Sequence, residues 1–510
     1  MPTATASQTP PAEPAAAAGR RHILPRLFFG AVWALTLLLG CEFAARFAGK
    51  VFEAWACMRM MDAAEAAMDR DDAVYEAWLP HASAPSFTPR ESPGLSATPW
   101  LDDGTLDPAR PEASEALVFE TAPDGAVTGL RYPGTPEDIR ALGGALAAAP
   151  HLQTLLREEQ LRDLLGGRLV MGRRTAEYMI SAGGGPARCY ETTLYEHPAD
   201  PARRAVLVRR SRYSECLWSY RPHVYRRDWY SDDFKRSEFW TNALGWRDRE
   251  ITLPKPPGVF RIVLIGGSTA VEGPHNDLTC AKYLERRFAA EFGDGRVEVV
   301  NAGVDALTTY GSLARIDDYL ALDPDMVVHY NFINDAASVV TAASEDDFPA
   351  DAPGTRVRRF LAGSLLARLA APGLFHPGEG ALARQTDRLV LGNLRGMADR
   401  CAKAGVRFAV ATFARPDPGR LSARERAWLN TQFMFFGLAR VSYRQYAALT
   451  DLHNRLLKDW AARHGVVCVP VAEEFGGERS LFADTCHMRL DGIQRKAEIF
   501  FTHLAPLVPE

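Results

Sequence analysis

The sequence predicts an α/β fold with a parallel sheet over residues 241–510, preceded by a membrane anchor and a small α+β accessory region. From residue 259 onwards, short apolar runs alternate with stretches of helical pattern, which is typical of parallel strands covered on both faces. Ser268, Gly303 and Asn334 each follow such an apolar run directly. Ligands of open parallel sheets bind beyond the carboxyl ends of the strands, so the three positions agree with one site.

The elements of this sheet follow from the spacing of apolar residues along the chain. Strands are predicted at residues 262–265, 297–300, 326–330, 408–412 and 466–469. Helices are predicted at residues 278–292, 311–321, 392–404, 443–464 and 491–506. This alternation of short strands with helices is the basis for the predicted parallel sheet.

The amino-terminal part of the chain carries a candidate membrane anchor. Residues 1–22, rich in Ala, Pro, Thr and Ser and ending in basic residues, are expected to form a disordered cytoplasmic leader. The apolar stretch 23–46 reaches the roughly 20 residues needed to span a bilayer when Arg26 and Glu42 lie near its two interfaces. Basic residues ahead of the span favour a cytoplasmic amino end, with the residues after the span in the periplasm or at the cell surface.

Two other interpretations of this apolar stretch stay open. No Ala-x-Ala cleavage site follows it, which favours a retained signal anchor over a cleaved signal peptide. A lipoprotein signal that ends in Gly40 and is acylated on Cys41 is the third interpretation.

Two less regular regions separate the anchor from the sheet. Residues 47–115 combine a helix-compatible stalk with a linker rich in Pro, Ser and Gly. Residues 116–240 are predicted to form the α+β accessory region, with strands at 116–121 and 205–208 and a helix at 136–165.

Charge and cysteine usage exclude several classes of function. The net charge of -4 gives no electrostatic reason to expect nucleic acid as a partner. The eight cysteines form no CxxC pair and no zinc-binding spacing. The sequence therefore predicts no metal and no cofactor, and it leaves the oligomeric state open.

A Gly-Gly-Ser-Thr turn directly follows the first predicted strand and exposes the hydroxyl of Ser268. It lacks the GxGxxG and GK[ST] patterns of phosphate-binding turns. It also differs from the GxSxG elbow, because Ala270 stands at the second glycine position. Near the carboxyl terminus, Asp484 and His487 stand three residues apart and offer the orienting carboxylate and the base that a serine nucleophile needs.

Four blocks of sequence in fixed order resemble the SGNH (GDSL-type) hydrolase family. The resemblance covers about residues 258 to 510, and residues 242–248 resemble the lead-in of membrane-anchored members. It implies a flavodoxin-like three-layer fold and a serine esterase or acyltransferase. The serine, glycine, asparagine and Asp-x-x-His blocks are residues 266–269, 299–304, 327–335 and 484–487.

The resemblance also implies a role for each matching residue. Ser268 would attack the ester carbonyl, His487 would take the proton of the hydroxyl, and Asp484 would hold the imidazole in the required tautomer. The oxyanion hole would consist of the backbone N–H groups of Ser268 and Gly303 and the side-chain amide of Asn334.

Two residues depart from the family's pattern. Gly267 stands where the family commonly has aspartate, a position that is not itself catalytic. Phe332 stands where the third block usually has glycine, and its ring is expected to narrow the pocket or tilt Asn334.

Three further polar residues near the blocks are expected to be structural. His275 and His329 are isolated histidines, which are more often satisfied core residues than catalytic ones. Asp335 is expected to cap the helix that follows it.

The function that the sequence predicts is a membrane-anchored serine esterase or O-acyltransferase. An anchored domain with an exposed serine site suits ester-linked acetyl groups on an envelope glycan, while lipid and thioester substrates remain open. The same triad serves hydrolysis and transfer, so the sequence does not separate them. The alternative is a catalytically weak glycan-binding component of an envelope assembly, with Phe332 as its main support.

Overall fold

The structure is a computed structural model, and it describes the amino-terminal helix and most of the carboxyl-terminal half of the chain. The leader 1–19 and the helix predicted at 136–165 lie outside the described residues. The described residues are 20–89, 116–121, 127–131, 168–172, 177–183, 189–197, 200–210, 220, 223–230, 233–348, 357–358, 361, 364, 366, 375–432 and 441–509.

One long helix, α1 (Arg20–Trp78), opens the described part of the chain. Within it, Phe28–Phe52 is long and apolar enough to cross a membrane by length and composition, and none of its apolar window is buried. The predicted anchor 23–46 and most of the predicted stalk lie in this single helix. An element near the amino terminus therefore has the dimensions of a membrane span, and it continues without a break towards the rest of the molecule.

The accessory region contains a six-stranded antiparallel sheet. The strands predicted at 116–121 and 205–208 lie in its first and last members. The strands are β1 (Ala116–Thr121), β2 (Val127–Arg131), β3 (Arg168–Gly172), β4 (Glu177–Gly183), β5 (Cys189–His197) and β6 (Asp200–Arg210). Their spatial order is β2-β1-β6-β5-β4-β3.

The carboxyl-terminal half is built on a five-stranded parallel sheet, which confirms the predicted α/β fold. A short antiparallel pair, β7 (Tyr225–Arg227) and β8 (Glu238–Trp240), precedes it. The sheet strands are β9 (Phe260–Gly266), β10 (Val297–Asn301), β11 (Met326–Tyr330), β12 (Arg407–Ala411) and β13 (Val467–Val469). The spatial order β10-β9-β11-β12-β13 is that of flavodoxin-like doubly wound sheets, with the switch point beside the first strand.

Helices connect these strands and cover the sheet. The helix predicted at 311–321 is two short helices, because Arg315 leaves the helical region with φ -98° and ψ 6°. The helices are α2 (Ser268–Val271), α3 (Cys280–Phe292), α4 (Thr309–Ala314), α5 (Ile316–Leu320), α6 (Ile333–Asp347), α7 (Glu379–Thr386), α8 (Gly392–Lys403), α9 (Ala423–Gln432), α10 (Tyr443–His464), α11 (Val471–Phe475) and α12 (Leu490–Leu504).

Burial explains why the strand sequences are almost wholly apolar. Every residue of β9 and of β11 is buried, as expected for central strands with helices on both faces. Tyr220, Phe234 and Phe239 belong to the same apolar core as the sheet. These three residues, which precede the boundary predicted at residue 241, therefore pack as part of the carboxyl-terminal half.

The sheet brings three chain segments together at its carboxyl edge. β9 pairs with β10 on one side and with β11 on the other, so the residues that follow these strands are neighbours. The chain beyond β10 stays alongside β9, with hydrogen bonds from Ala302 N to Leu264 O (2.9 Å) and from Val304 N to Gly266 O (3.0 Å). This edge holds the serine, glycine and asparagine blocks.

Candidate active site

The chain turns sharply after β9, and Ser268 is the first residue of α2. A Cβ on Gly266 would lie 2.1 Å from the Tyr330 carbonyl oxygen, so only glycine lets β9 end this close to β11. Among the described residues, the N–H of Ser268 has no hydrogen-bond partner, as is usual in the first turn of a helix. The turn therefore presents both a hydroxyl and an unpaired backbone donor at the edge of the sheet.

The structure brings Ser268, His487 and Asp484 together in one chain of hydrogen bonds. The Nε2 atom of His487 lies 2.7 Å from the Ser268 hydroxyl oxygen, and its Nδ1 atom lies 2.6 Å from Asp484 Oδ2. The other oxygen of Asp484 accepts from the backbone N–H groups of Cys486 and His487, each at 2.7 Å. The carboxylate is thus fixed before it orients the imidazole, which is the arrangement of a serine nucleophile with its base.

Asp484 and His487 shift each other's pKa values. Burial alone would raise the pKa of Asp484, but the charge and hydrogen bond of His487 outweigh it and lower that pKa to about 2. Burial alone would lower the pKa of His487, yet Asp484 raises it well above 6.5. Asp484 therefore stays ionised and stabilises the protonated imidazole that forms when His487 accepts a proton.

A buried ion pair supports the loop that carries His487. Lys496 Nζ lies 2.5 Å from Glu272 Oε1 and donates to Thr269 O at 2.6 Å, and the Glu272 and Lys496 side chains are at most 1% exposed. The other oxygen of Glu272 accepts from Met488 N at 2.7 Å. The end of the nucleophile helix is therefore joined to the residue after His487. Sequence reasoning missed this pair, although a lysine within the apolar closing helix was a usable signal.

The lead-in block 242–248 acts through its fully buried arginine. Arg247 donates to the carbonyl oxygens of Val271 (2.7 Å) and Gly273 (2.9 Å) and to Asn276 Oδ1 (3.0 Å). Its guanidinium lies 5.1 Å from the centre of the Tyr230 ring. The guanidinium thus satisfies carbonyl groups at the end of α2, which helps to hold the nucleophile helix in place.

Asn334 lies against the backbone that carries the nucleophile. Its Nδ2 atom donates to Leu307 O at 3.0 Å and lies 3.4 Å from Asn331 Oδ1. A Cβ on Gly267 would come within 2.3 Å of the same nitrogen. The amide predicted as an oxyanion donor is therefore beside the residue that precedes Ser268, and a glycine at 267 makes the room for it.

Gly303 lies behind the nucleophile helix, but its N–H already has an acceptor. The N–H donates to Asn301 Oδ1 at 3.3 Å, and a Cβ on Gly303 would lie 3.0 Å from Val271 N. The Gly303 N–H would therefore have to leave Asn301 Oδ1 to serve as the backbone donor.

The expectation that the Phe332 ring narrows the pocket is wrong, whereas its effect on the tilt of Asn334 stays a prediction. Phe332 is fully buried, and its ring stacks on His453 at 4.0 Å with an interplanar angle of 12°. A second aromatic ring, that of Phe413, lies 6.3 Å away. The side chain fills the core, because the position at the start of α6 turns it inwards.

Asp335 does not cap its own helix, contrary to expectation. Its carboxylate accepts from the N–H (3.1 Å) and the hydroxyl (2.8 Å) of Thr309, the first residue of α4, and from Asn331 Nδ2 at 3.3 Å. The carboxylate satisfies a donor at the start of α4 and ties that helix to the asparagine block. Asp335 thus helps to hold the segment whose Leu307 carbonyl accepts from Asn334.

The two isolated histidines have structural surroundings. His275 Nδ1 accepts from the N–H of Asp277, and burial lowers the pKa of His275 to about 4. His329 is buried in β11, where burial lowers its pKa to about 3. Both imidazoles are therefore neutral at physiological pH and take no part in the triad.

Asp484, Cys486 and His487 also form the one group in the described part of the chain whose spacing would suit a metal ion. Burial and the nearby Asp484 charge raise the pKa of the Cys486 thiol to about 12. A protonated thiol is a poor metal ligand, and both imidazole nitrogens already have partners. The donor set therefore fits proton transfer better than metal binding.

A Gly267→Ala variant is expected to lower kcat on an activated acetate ester by about 100-fold, the size expected for loss of one oxyanion donor. The Cβ of the new alanine would lie 2.3 Å from the amide nitrogen of Asn334, which is too close for both groups, so the amide would be displaced. Gly380→Ala is the matched control, because its Cβ would meet no atom closer than 3.8 Å. Equal kcat values for the two folded variants would rule out a catalytic role for Asn334.

No family model and no curated protein matches the chain. Among solved structures it is similar to a lipase/acylhydrolase from Enterococcus faecalis, with 16% identity over 49% of this chain and 97% of that one and a TM-score of 0.32. It is also similar to LAE5, an alpha/beta hydrolase enzyme from the metagenome of Lake Arreo, Spain, with 21% identity over 49% of this chain and 96% of that one and a TM-score of 0.30. A third similar structure is a catalytic mutant of Axe2, an acetylxylan esterase from Geobacillus stearothermophilus, with 14% identity over 49% of this chain and 96% of that one and a TM-score of 0.30. At such identities and TM-scores these likenesses carry no argument about what this chain does.

Proposed function

We propose that the protein is a serine esterase or O-acyltransferase of the SGNH type, which its four sequence blocks resemble. The observation that carries the proposal is the continuous hydrogen-bonded chain from Ser268 through His487 to Asp484. A serine hydroxyl becomes an effective nucleophile when a base 2.6–3.2 Å away can take its proton, and the observed contacts meet that requirement.

The proposed reaction has two steps that share the same residues. Ser268 Oγ attacks the ester carbonyl while His487 Nε2 takes its proton, and the imidazolium then protonates the departing alkoxide. The acyl-serine is next attacked by water or a sugar hydroxyl, whose proton passes to His487 and then to Ser268 as the acyl group leaves. The developing oxyanion would be held by the N–H groups of Ser268 and Gly303 and by the Asn334 amide.

We propose further that the protein is a single-pass membrane protein whose catalytic half lies outside the cytoplasm. The exposed apolar span Phe28–Phe52 and the basic residues ahead of it support this orientation. An alkaline phosphatase reporter fused after residue 80 is expected to be active. Cytoplasmic location of the reporter would contradict the orientation without affecting the proposed chemistry.

The substrate that we propose is an acylated envelope glycan, most simply one that carries acetyl esters. The span ends at Phe52, and Asp71, which pairs with Arg489 near the triad, lies 19 residues later. At 1.5 Å per residue this is about 28 Å along the helix axis. An extracytoplasmic catalytic half would face the envelope glycans. It also contacts α1 beside the span, where Ser364 Oγ donates to Glu42 Oε2 (2.8 Å) and the Arg424 guanidinium lies 4.3 Å from the Trp55 ring, so lipid esters are the alternative substrate.

Labelling with a fluorophosphonate probe tests the proposed chemistry. The wild-type protein should react, and Ser268→Ala should not. Ser312→Ala, which removes another buried serine hydroxyl, is the control and should leave labelling intact. Absence of labelling in well-folded wild-type protein would refute the serine mechanism.

A substrate panel then tests the glycan assignment. Acetate release from acetylated glycans is expected to exceed turnover of long-chain esters, and added glycan acceptors would reveal transfer. Turnover of long-chain esters alone would replace the glycan by a lipid substrate. The alternative of a catalytically weak binding protein has Phe332 as its main support, and the burial of that ring in the core argues against a narrowed pocket.

A further inference from the structure

The last turns of α1 lie on the catalytic half of the molecule and are here termed the docked segment, residues 65–78. Asp72 accepts two hydrogen bonds from the guanidinium of Arg236, at 2.7 and 2.9 Å. Tyr75 is only 3% exposed, and its ring lies 6.1 Å from that of His275. The helix that contains the candidate membrane span is therefore packed directly onto the part of the protein that holds the triad.

Asp71 is the one buried charged side chain in the described part of α1. Its Oδ2 atom lies 3.5 Å from Nη1 of Arg489, and these two side chains are 10% and 7% exposed. The same guanidinium nitrogen donates to the backbone carbonyl of Asp233. Removal of one partner from a buried ion pair leaves the other charge uncompensated, so the position of Arg489 depends on Asp71.

Arg489 lies at the junction between the catalytic histidine and the closing helix. It follows His487 by two residues and directly precedes α12, and its own N–H donates to Leu481 O at 3.0 Å. Its side chain makes no capping hydrogen bond to α12. A displacement of Arg489 would therefore move the start of α12 and, with it, the loop that carries His487.

The Asp71 carboxylate also supplies negative charge to the start of α12. Burial raises the pKa of Asp71 to about 6, whereas the Arg489 charge and the backbone N–H of Leu490 oppose this shift. The N-terminus of a helix favours an anion, and here the anion comes from a different helix. The Asp71 carboxylate thus contacts two groups at the beginning of α12, the side chain of Arg489 and the backbone N–H of Leu490.

We propose that Asp71 of the docked segment is a positioning residue for the active site, because it holds Arg489 and thereby the His487 loop in the geometry needed for proton transfer. The inference rests on the proposed serine chemistry. It gives the amino-terminal helix a role in catalysis beyond attachment to a membrane.

The test uses the full-length protein in detergent and an activated acetate ester as substrate. Asp71→Asn is expected to lower kcat about tenfold at unchanged KM, since a small misplacement of a catalytic group lowers the rate without loss of substrate contacts. The rate of fluorophosphonate labelling should fall in parallel, and Asp71→Glu should restore part of both. Asp69→Asn is the matched control, because Asp69 belongs to the same docked segment but is 60% exposed in its ion pair with Lys235, and it should leave kcat within twofold.

A double-mutant cycle with Arg489→Gln completes the test. If Asp71 acts through Arg489, the two losses in kcat should not multiply, and the double variant should resemble Arg489→Gln alone. Multiplicative losses, an unchanged kcat in folded Asp71→Asn, or an equal loss in Asp69→Asn would each overturn the positioning role. Wild-type protein that neither labels nor hydrolyses esters would refute the proposed function itself, which is a separate outcome.

Discussion

Asp484→Asn is expected to lower kcat by about 10⁴-fold, the effect of the equivalent change in a serine protease triad. The asparagine keeps the size of the side chain, but its amide can donate to Nδ1 and stabilise the tautomer of His487 in which Nε2 carries the proton. Nε2, 2.7 Å from Ser268 Oγ, would then be unable to accept the serine proton. Steady-state kinetics with an activated acetate ester measures the loss.

The pH dependence of the wild-type protein follows from the same pair. His487 must be neutral to act as base, and Asp484 raises its pKa well above 6.5. Activity should therefore fall as the pH drops through a midpoint above 6.5. The Asp484→Asn variant lacks the carboxylate charge that raises the pKa of His487, while burial still lowers that pKa. The pH midpoint of its residual activity should therefore move to lower pH.

Asp317→Asn is the control for this prediction, because it removes an exposed carboxylate paired with Arg400. It is expected to leave both kcat and the pH midpoint unchanged. An Asp484→Asn variant that kept more than a few per cent of the wild-type kcat would show that Asp484 is dispensable for orienting the base. An unmoved pH midpoint would show that it does not set the pKa of His487.

The order of strands and helices in the catalytic half was predictable because parallel strands are apolar throughout. β11 was predicted with its observed bounds at 326–330, and α10 with its observed bounds at 443–464. The break of the helix 311–321 at Arg315 was not predicted, since it depends on a backbone conformation that residue types do not encode. Local periodicity therefore indicated the elements, but not where a helix is interrupted.

The members of the site whose role depends on the chemistry of their side chain could be predicted from the sequence. Serine, aspartate and histidine are residue types that serve as nucleophile, orienting acid and base, so the types and spacing of Ser268, Asp484 and His487 predicted the hydrogen-bonded chain that the structure shows. Gly303 and Phe332 were different, because the direction of a backbone N–H and of a ring depends on tertiary packing. The supporting pairs of the histidine loop join residues more than 200 positions apart, and nothing local in the sequence links them.

Lys496→Met is expected to lower the free energy of unfolding by about 3–5 kcal/mol, the usual result when one partner of a buried ion pair is removed. The lysine is fully buried and is the cation paired with Glu272, whose side chain is 1% exposed. Urea denaturation of the full-length protein in detergent, followed by tryptophan fluorescence, measures the change. Lys458→Met is the matched control, because its partner Glu473 is 38% exposed and solvated, and a loss below about 1 kcal/mol is expected there.

The pH dependence of this loss separates an uncompensated charge from a simple packing defect. Burial already raises the pKa of Glu272 while Lys496 lowers it, so without the lysine the pKa of Glu272 should rise further. A carboxyl whose folded-state pKa lies above its unfolded value of 4.5 stabilises the fold less as the pH rises between the two values. The deficit of Lys496→Met should therefore be larger at pH 8 than at pH 5. A deficit independent of pH would mean that Lys496 contributes packing rather than charge.

Because Glu272 also accepts from Met488 N, the same variant should lose activity before it unfolds, as the loop that carries His487 loosens first.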